Sequence, residues 1–266
     1  MPAIYAHDRF GKEVAERVLG EPGKTVRRYY TQFKIGLQGP DIFFFYRFNT
    51  DNPIVSYGQH LHRISALPFF RHAVDIIRKK GCNSREYAYL LGFLCHFILD
   101  SECHPYVEDM IEVTGVQHLE IEEEFEKLLL CLDGQDPVGY PLADLIPTDP
   151  ETVRAIYPFY RTNESITPKI IFQSLRYMKL IKRFLTAPGK WKHAAINTGM
   201  KLTGKYPYVK GLMNQRVDNP NCKESNEGLL TRFDAAIDLA AGMIGSLDES
   251  IRTGKPLSER LDRNFE

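Results

Sequence analysis

Residues 87–104 limit the fold more than any other part of this chain, because apolar side chains fill nearly every position of a helix-length run. A helix that is apolar on almost all sides has to be covered by its neighbours. We therefore predict a central helix that begins with a capping box at Asn83 and Glu86 and extends to about Cys103. Pro105 should end or kink this helix.

Two polar side chains inside the apolar run need an explanation. His96 and Asp100 are four residues apart, so a helix places them on one face, and His104 continues the row. His118 and Glu122 repeat this spacing in the following segment. A buried carboxylate is costly unless it is paired or bound to a metal. Since imidazole and carboxylate are ordinary zinc ligands, the pattern favours a metal site over a buried polar pair.

Helical periodicity dominates the rest of the chain, whose 266 residues are 43% hydrophobic and 26% charged, with zero formal net charge. This composition is ordinary for a globular protein and gives no overall field toward nucleic acid or membrane. No segment alternates as a strand would. Further helices are predicted at 8–19, 25–36, 64–80, 116–132, 151–161, 168–186, 192–203 and 225–252. We predict an all-α fold in one domain, 1–266.

The cysteines and the apolar segments bear on the cellular compartment. The five cysteines form no CxxC pair and are typical of reduced thiols. The first residues lack a basic stretch followed by an apolar one, as a signal peptide would have. No apolar run approaches the roughly 18 residues that a membrane span needs. These observations predict a cytoplasmic protein.

The candidate ligands also carry a resemblance to a known family. In chain order they are His7, Pro40-Asp41 after a glycine turn, His60 or His62, His96 with Asp100, His104 before a proline, and His118 with Glu122. This order resembles that of the zinc-dependent phospholipase C family, whose fold is shared with zinc-dependent single-strand nucleases. The resemblance covers the first half of the chain most strongly. It implies an all-α fold with a zinc cluster.

His60 and His62 compete for one place in this pattern. Side chains two residues apart in a helix point about 200° apart, so only one of them can face the cluster. We favour His62, because Phe69 and Phe70 follow it by seven and eight residues on the same face. His60 remains the alternative.

The resemblance implies a distribution of ligands among the ions. One zinc ion would be held by Asp41, His62, His96 and Asp100, and a second by His104, His118 and Glu122. Asp100 would bridge toward a third ion that is bound partly by His7. The secreted enzymes of this family use an N-terminal Trp at one zinc, whereas this chain begins with Met1. Two to three zinc ions are therefore expected.

The resemblance also implies a reaction. The protein would cleave a phosphodiester, either a phospholipid or a related soluble compound, with metal-activated water. Asp41 would double as the general base toward that water, and a helix N-cap is the alternative role of this residue. A single-strand nuclease and a non-catalytic metal-binding protein are the alternative functions.

Residues 165–217 contain eleven Lys and Arg but no Asp or Glu, and aromatic residues are interleaved with them. Such a segment is typical of an anionic membrane surface or, under the nuclease alternative, of single-stranded nucleic acid. The other interpretation is that these cations pack against the acidic segment 100–151 of the same domain. No obligatory protein partner is evident from the sequence.

Overall fold

Helices make up the regular structure of this protein in a computed structural model that describes residues 3–48 and 50–266. Within those ranges there is no strand, and the prediction of an all-α fold is confirmed. The α-helices are, in order, α1 Ile4–Arg17, α2 Gly20–Arg28, α3 Tyr30–Gly36, α4 Pro53–Arg63, α5 Leu67–Lys80, α6 Arg85–Thr114, α7 His118–Leu132, α8 Pro150–Tyr160, α9 Pro168–Leu185, α10 Lys190–Leu202, α11 Tyr206–Val209 and α12 Lys223–Thr253. A 3-10 helix, Gly39–Phe45, connects α3 to the segment before α4.

Helix α6 is the central helix, and nearly all of its first half is buried against α1, α2, α3, α8 and α12. Two details of its prediction were wrong. Its N-cap is Ser84, not Asn83: the Ser84 hydroxyl accepts a hydrogen bond from the Tyr87 N–H. The helix also continues through Pro105 and ends only before Gly115, whose φ of 69° places it in the left-handed region favoured by glycine.

The continuation through Pro105 has an identifiable reason. A proline inside a helix has no N–H, so the carbonyl four residues earlier loses its helical partner. Here that carbonyl belongs to Ser101, and it accepts a hydrogen bond from Arg263 Nη2 at 2.6 Å. The substitute donor lets α6 keep its helical course, so that His104 remains in one row with His96 and Asp100.

The acidic residues of α7 are buried rather than solvated. Glu126 Oε2 accepts a hydrogen bond from the Tyr5 N–H at 2.7 Å, and Glu123 Oε1 accepts one from the Gln215 N–H at 2.6 Å. Lys127 lies 2.9 Å from a carboxylate oxygen of Glu124. These contacts compensate the burial of charge and fix α7 beside α1 and the segment that follows α11.

A large hydrophobic cluster draws side chains from Ala3 at the start of α1 to Phe265 near the end of the sequence. A smaller one, built around Leu185, Ile196 and Met213, holds α10 to α9. We keep one domain over 1–266 as a prediction. Among the described residues, no helix is long and apolar enough to cross a membrane.

Candidate metal centre

The side chains predicted as ligands come from four elements and converge on the face of α6 that carries His96, Asp100 and His104. Helix α1 supplies His7, the 3-10 helix supplies Asp41, α4 supplies His62, and α7 supplies His118 and Glu122. They form three groups, and within each group the ligand atoms lie within 4.8 Å of one another. All of these residues are buried except His118, which is partly exposed.

The first group consists of Asp41, His62 and His96. Oδ1 of Asp41 lies 2.8 Å from Nε2 of His62 and 3.9 Å from Nε2 of His96. Asp41 lies within the 3-10 helix, whose N-cap residue is Gln38, and its side chain caps no helix. The alternative role of Asp41 as an N-cap is therefore wrong.

The second group shares His96 with the first and adds His7 and Asp100. The two carboxylate oxygens of Asp100 face different rings: Oδ1 lies 3.2 Å from Nε2 of His7, and Oδ2 lies 3.1 Å from Nε2 of His96. One imidazole nitrogen has one lone pair and can bind one ion. The two groups therefore cannot both use His96, whereas Asp100 has an oxygen for each side.

The third group lies on the side of the centre that is most open to solvent. Oε1 of Glu122 lies 2.8 Å from Nε2 of His118 and 3.4 Å from Nε2 of His104. The other ring nitrogen of His118 lies 2.9 Å from Glu108 Oε1. Because the His118 side chain is about one-third exposed, this group is the one that a ligand from solvent can reach directly.

Main-chain carbonyls orient three of the histidines. Nδ1 of His62 lies 2.8 Å from the Gly58 carbonyl, and Nδ1 of His96 lies 3.1 Å from the Leu37 carbonyl. Nδ1 of His104 lies 2.6 Å from the Phe265 carbonyl. A carbonyl can only accept, so each Nδ1 carries a proton, and in the neutral ring each Nε2 keeps its lone pair.

Several buried nitrogen and oxygen atoms of the centre have no hydrogen-bond partner among the described residues, and a metal ion could bind them. Nε2 of His62, His96 and His104 is buried without a hydrogen bond of acceptable geometry, and so are both oxygens of Asp100. Buried polar atoms without partners are costly, and a divalent cation would satisfy all of these acceptors together. Imidazole nitrogen combined with carboxylate oxygen is a donor set of zinc, and the carbonyl bonds are the support that ligating histidines ordinarily have.

The charge states suit cation binding. Burial opposes ionisation of Asp100, but His96, His104 and His7 outweigh it and hold the pKa of this carboxyl well below its usual range. In the same way, His118 and His104 outweigh the burial of Glu122 and lower its pKa to about 2. Burial lowers the pKa of His96 and favours its neutral, ligating form. Glu122 raises the pKa of His118 to about 9, and Asp100 and Glu122 outweigh burial and raise the pKa of His104. Without metal the centre thus offers anionic oxygens and a neutral His96 at pH 7, and a cation bound at His104 and His118 would have to displace a proton.

The remaining histidines lie elsewhere. His60 is exposed on α4, whereas His62 is buried beside Asp41. The reason that favoured His62 was wrong, however, because α4 ends at Arg63 and Phe69 and Phe70 belong to α5. His72 and His193 contact the Pro158 carbonyl and the Asn197 amide, outside the three groups. Met1, where the family has a Trp ligand, lies outside the described residues.

Two contributors to the centre were missed in the sequence. Gly39 has a φ of 46°, and a Cβ at this position would overlap the His96 ring, with His96 Nε2 only 2.5 Å away. The glycine before Pro40-Asp41 was noticed only as a turn signal, yet it makes room for a ligand. Phe265, whose carbonyl orients His104, gave no signal because its partners are distant in sequence.

Comparison with known proteins agrees with this geometry. Residues 6–186 match the model of a family described as zinc dependent phospholipase C. Neither curated proteins nor solved structures gave a match to this chain. The matched segment is more than half of the chain and contains every residue of the three groups. The protein therefore belongs to the zinc-dependent phospholipase C family.

Proposed function

We propose that this protein is a zinc-dependent hydrolase that cleaves a phosphodiester, with a phospholipid or a related soluble phosphodiester as its substrate. The observation that carries the proposal is the set of adjoining histidine–carboxylate groups. In three of their histidines a carbonyl bond holds a proton on Nδ1, which leaves the buried Nε2 of the neutral ring available to bind metal. Two to three zinc ions would be held by His7, Asp41, His62, His96, Asp100, His104, His118 and Glu122. Zinc, when bound, lowers the pKa of water to about 7 and polarises a phosphoryl oxygen.

The ligand side chains have different proposed roles in binding metal and in moving the proton. His62, His96 and His104 present fixed nitrogen ligands, because their Nδ1 protons are committed to backbone carbonyls. The two oxygens of Asp100 face His7 and His96, so this carboxylate holds the ligands from α1 and α6 at a fixed distance from each other. Asp41 is proposed to accept a proton from the attacking water as the water oxygen bonds to phosphorus, while the bond between phosphorus and the alcohol oxygen breaks and this proton passes to the alcohol oxygen. The products are the alcohol and a phosphomonoester.

The test is an assay on three substrates with protein saturated with zinc. We expect hydrolysis of a phospholipid and of a chromogenic phosphocholine ester, and no cleavage of single-stranded DNA. Replacement Asp41→Asn should lower the rate about 10²- to 10⁴-fold, the usual contribution of a general base. Asp51→Asn, at an exposed carboxylate near the same 3-10 helix, is the matched control and should keep the wild-type rate.

The outcomes separate the candidate functions. Cleavage of DNA alone would replace the lipase proposal with the nuclease alternative. Protein that binds zinc but turns over none of the substrates would be a non-catalytic member of the family. Protein that binds no metal at all would contradict all three zinc-based functions.

We also propose that the basic region 165–217 binds an anionic membrane surface, on the basis of its exposed cations and an apolar groove. Part of the positive charge is used internally, since Lys210 lies 2.5 Å from Glu120 and Lys182 is buried. Among the exposed cations, Lys192 lines an apolar groove of about 600 Å³ between α9 and α10, together with Ile181, Phe184 and Met200. Exposed cations around exposed apolar side chains suit an anionic lipid surface.

Trp191 makes this surface directly measurable. It is the only tryptophan of the chain and is 91% exposed. We expect its fluorescence to shift to the blue on addition of phosphatidylglycerol vesicles, and less with neutral phosphatidylcholine. Replacing Lys190 and Lys205 together by Ala should weaken vesicle binding about 30-fold, since each lysine near an anionic surface contributes about 1 kcal/mol.

An apolar residue elsewhere provides the control. Leu19, between α1 and α2, is 79% exposed, and Leu19→Ala should leave vesicle binding unchanged. An unshifted Trp191 spectrum at saturating anionic lipid would exclude this surface as the membrane site. Quenching of Trp191 by single-stranded DNA without a response to vesicles would favour the nucleic-acid alternative.

A further inference from the structure

The segment 258–266 reaches the metal centre although it lies outside residues 6–186, which match the family. Its backbone is hydrogen-bonded to the region where α4 ends and α5 begins. The Phe265 N–H donates to the His62 carbonyl at 3.1 Å, and the Ala66 N–H donates to the Arg263 carbonyl at 2.9 Å. Phe265 is thereby tied to the main chain of a candidate ligand.

The same segment is anchored to α6 beside the ligand row. Arg263 donates to the Ser101 carbonyl that Pro105 leaves without its helical partner, as described above. Arg260 and Arg263 both form ion pairs with Glu102. The Phe265 ring is buried, with its centroid 5.0 Å from those of His62 and Phe97. Position 265 is therefore fixed by polar and apolar contacts together.

The Phe265 carbonyl points at His104. The distance of 2.6 Å to Nδ1 requires a proton on that nitrogen, because a carbonyl oxygen cannot donate. In the neutral ring His104 then has its lone pair on Nε2, and this nitrogen lies 3.4 Å from Oε1 of Glu122. In metal sites such outer bonds fix the ring and its tautomer, and their loss lowers metal affinity about 10- to 100-fold.

We propose that Phe265 is a positioning residue of the metal centre, whose main-chain carbonyl holds His104 in the tautomer that binds metal through Nε2. The role rests on the proposed function, in which His104 is a zinc ligand. It assigns part of the centre to a segment beyond the family match. The family pattern of ligands is therefore not sufficient for the third group in this chain.

Two shortened chains test the proposal. A chain that stops after Asn264 lacks the Phe265 carbonyl. A chain that stops after Phe265 lacks only the exposed Glu266 and keeps oxygen acceptors at position 265. Zinc affinity is measured by competition with a chromogenic chelator, and bound zinc by elemental analysis. We expect the first chain to bind its most weakly held ion about 10- to 100-fold less tightly than the full-length protein, and the second to keep full affinity.

Equal zinc affinities of the two shortened chains would overturn the proposal. Melting in the presence of EDTA checks that the metal-free chains fold. If the shorter one does not, long-range ¹H–¹⁵N NMR on the full-length, zinc-loaded chain decides instead. It should show the proton of His104 on Nδ1, and metal on Nδ1 would overturn the positioning role. A full-length chain that binds no zinc would instead overturn the proposed function.

Discussion

Replacing Asp100 by Asn should lower phosphodiester hydrolysis about 10³-fold and release metal from the centre. The side chain is buried, and its two oxygens face His7 and His96. Asparagine keeps the shape, but it is neutral and offers a single oxygen. Loss of a shared anionic ligand is expected to cost about 4 kcal/mol of transition-state stabilisation, which corresponds to about a thousandfold in rate.

The measurement combines elemental analysis with the turnover number at saturating zinc. Asp109→Asn is the matched control, because Asp109 is an exposed carboxylate on the same helix. That variant should retain both metal and activity. Asp100→Ala should release most of the metal as well, since it offers no oxygen at all. A metal content of Asp100→Asn equal to that of the wild type would show that Asp100 is not a shared ligand.

The candidate ligands could be found in the sequence because most of them form local pairs. His96 and Asp100, and likewise His118 and Glu122, are four residues apart on one helix, so their spacing alone places them side by side. His62 was selected for a reason that the break between α4 and α5 removes. The end of α5 was predicted correctly where a glycine marks it, at Gly81.

Long-range contacts account for what the sequence did not reveal. Pro105 predicted a helix end, because nothing near it indicates that an arginine more than 150 residues later satisfies the Ser101 carbonyl. Nothing in the sequence indicated what the buried acids of α7 contact, because their partners, such as the backbone N–H groups of Tyr5 and Gln215, belong to distant segments. The dependence of His104 on Phe265 was hidden for the same reason.

Removing the metal should destabilise the protein strongly as well as inactivate it. Metal that binds only the folded state stabilises it by about 4 kcal/mol at a concentration 1,000 times the dissociation constant. For a chain of this size, 1 kcal/mol shifts the melting temperature by about 2 °C or more. We therefore expect EDTA to lower the melting temperature by about 8 °C for each tightly bound ion, and added zinc to restore it together with activity.

The Asp100→Asn variant tests where the stabilising metal binds. If a stabilising ion lies in the group that contains Asp100, the variant has already lost part of the effect, and EDTA should lower its melting temperature less. Asp109→Asn should show the full shift. An equal shift in wild type and Asp100→Asn would place the stabilising metal elsewhere. Neither the group of Asp41, His62 and His96 nor the group of His104, His118 and Glu122 contains Asp100, so a residual shift in the variant would report on these two groups.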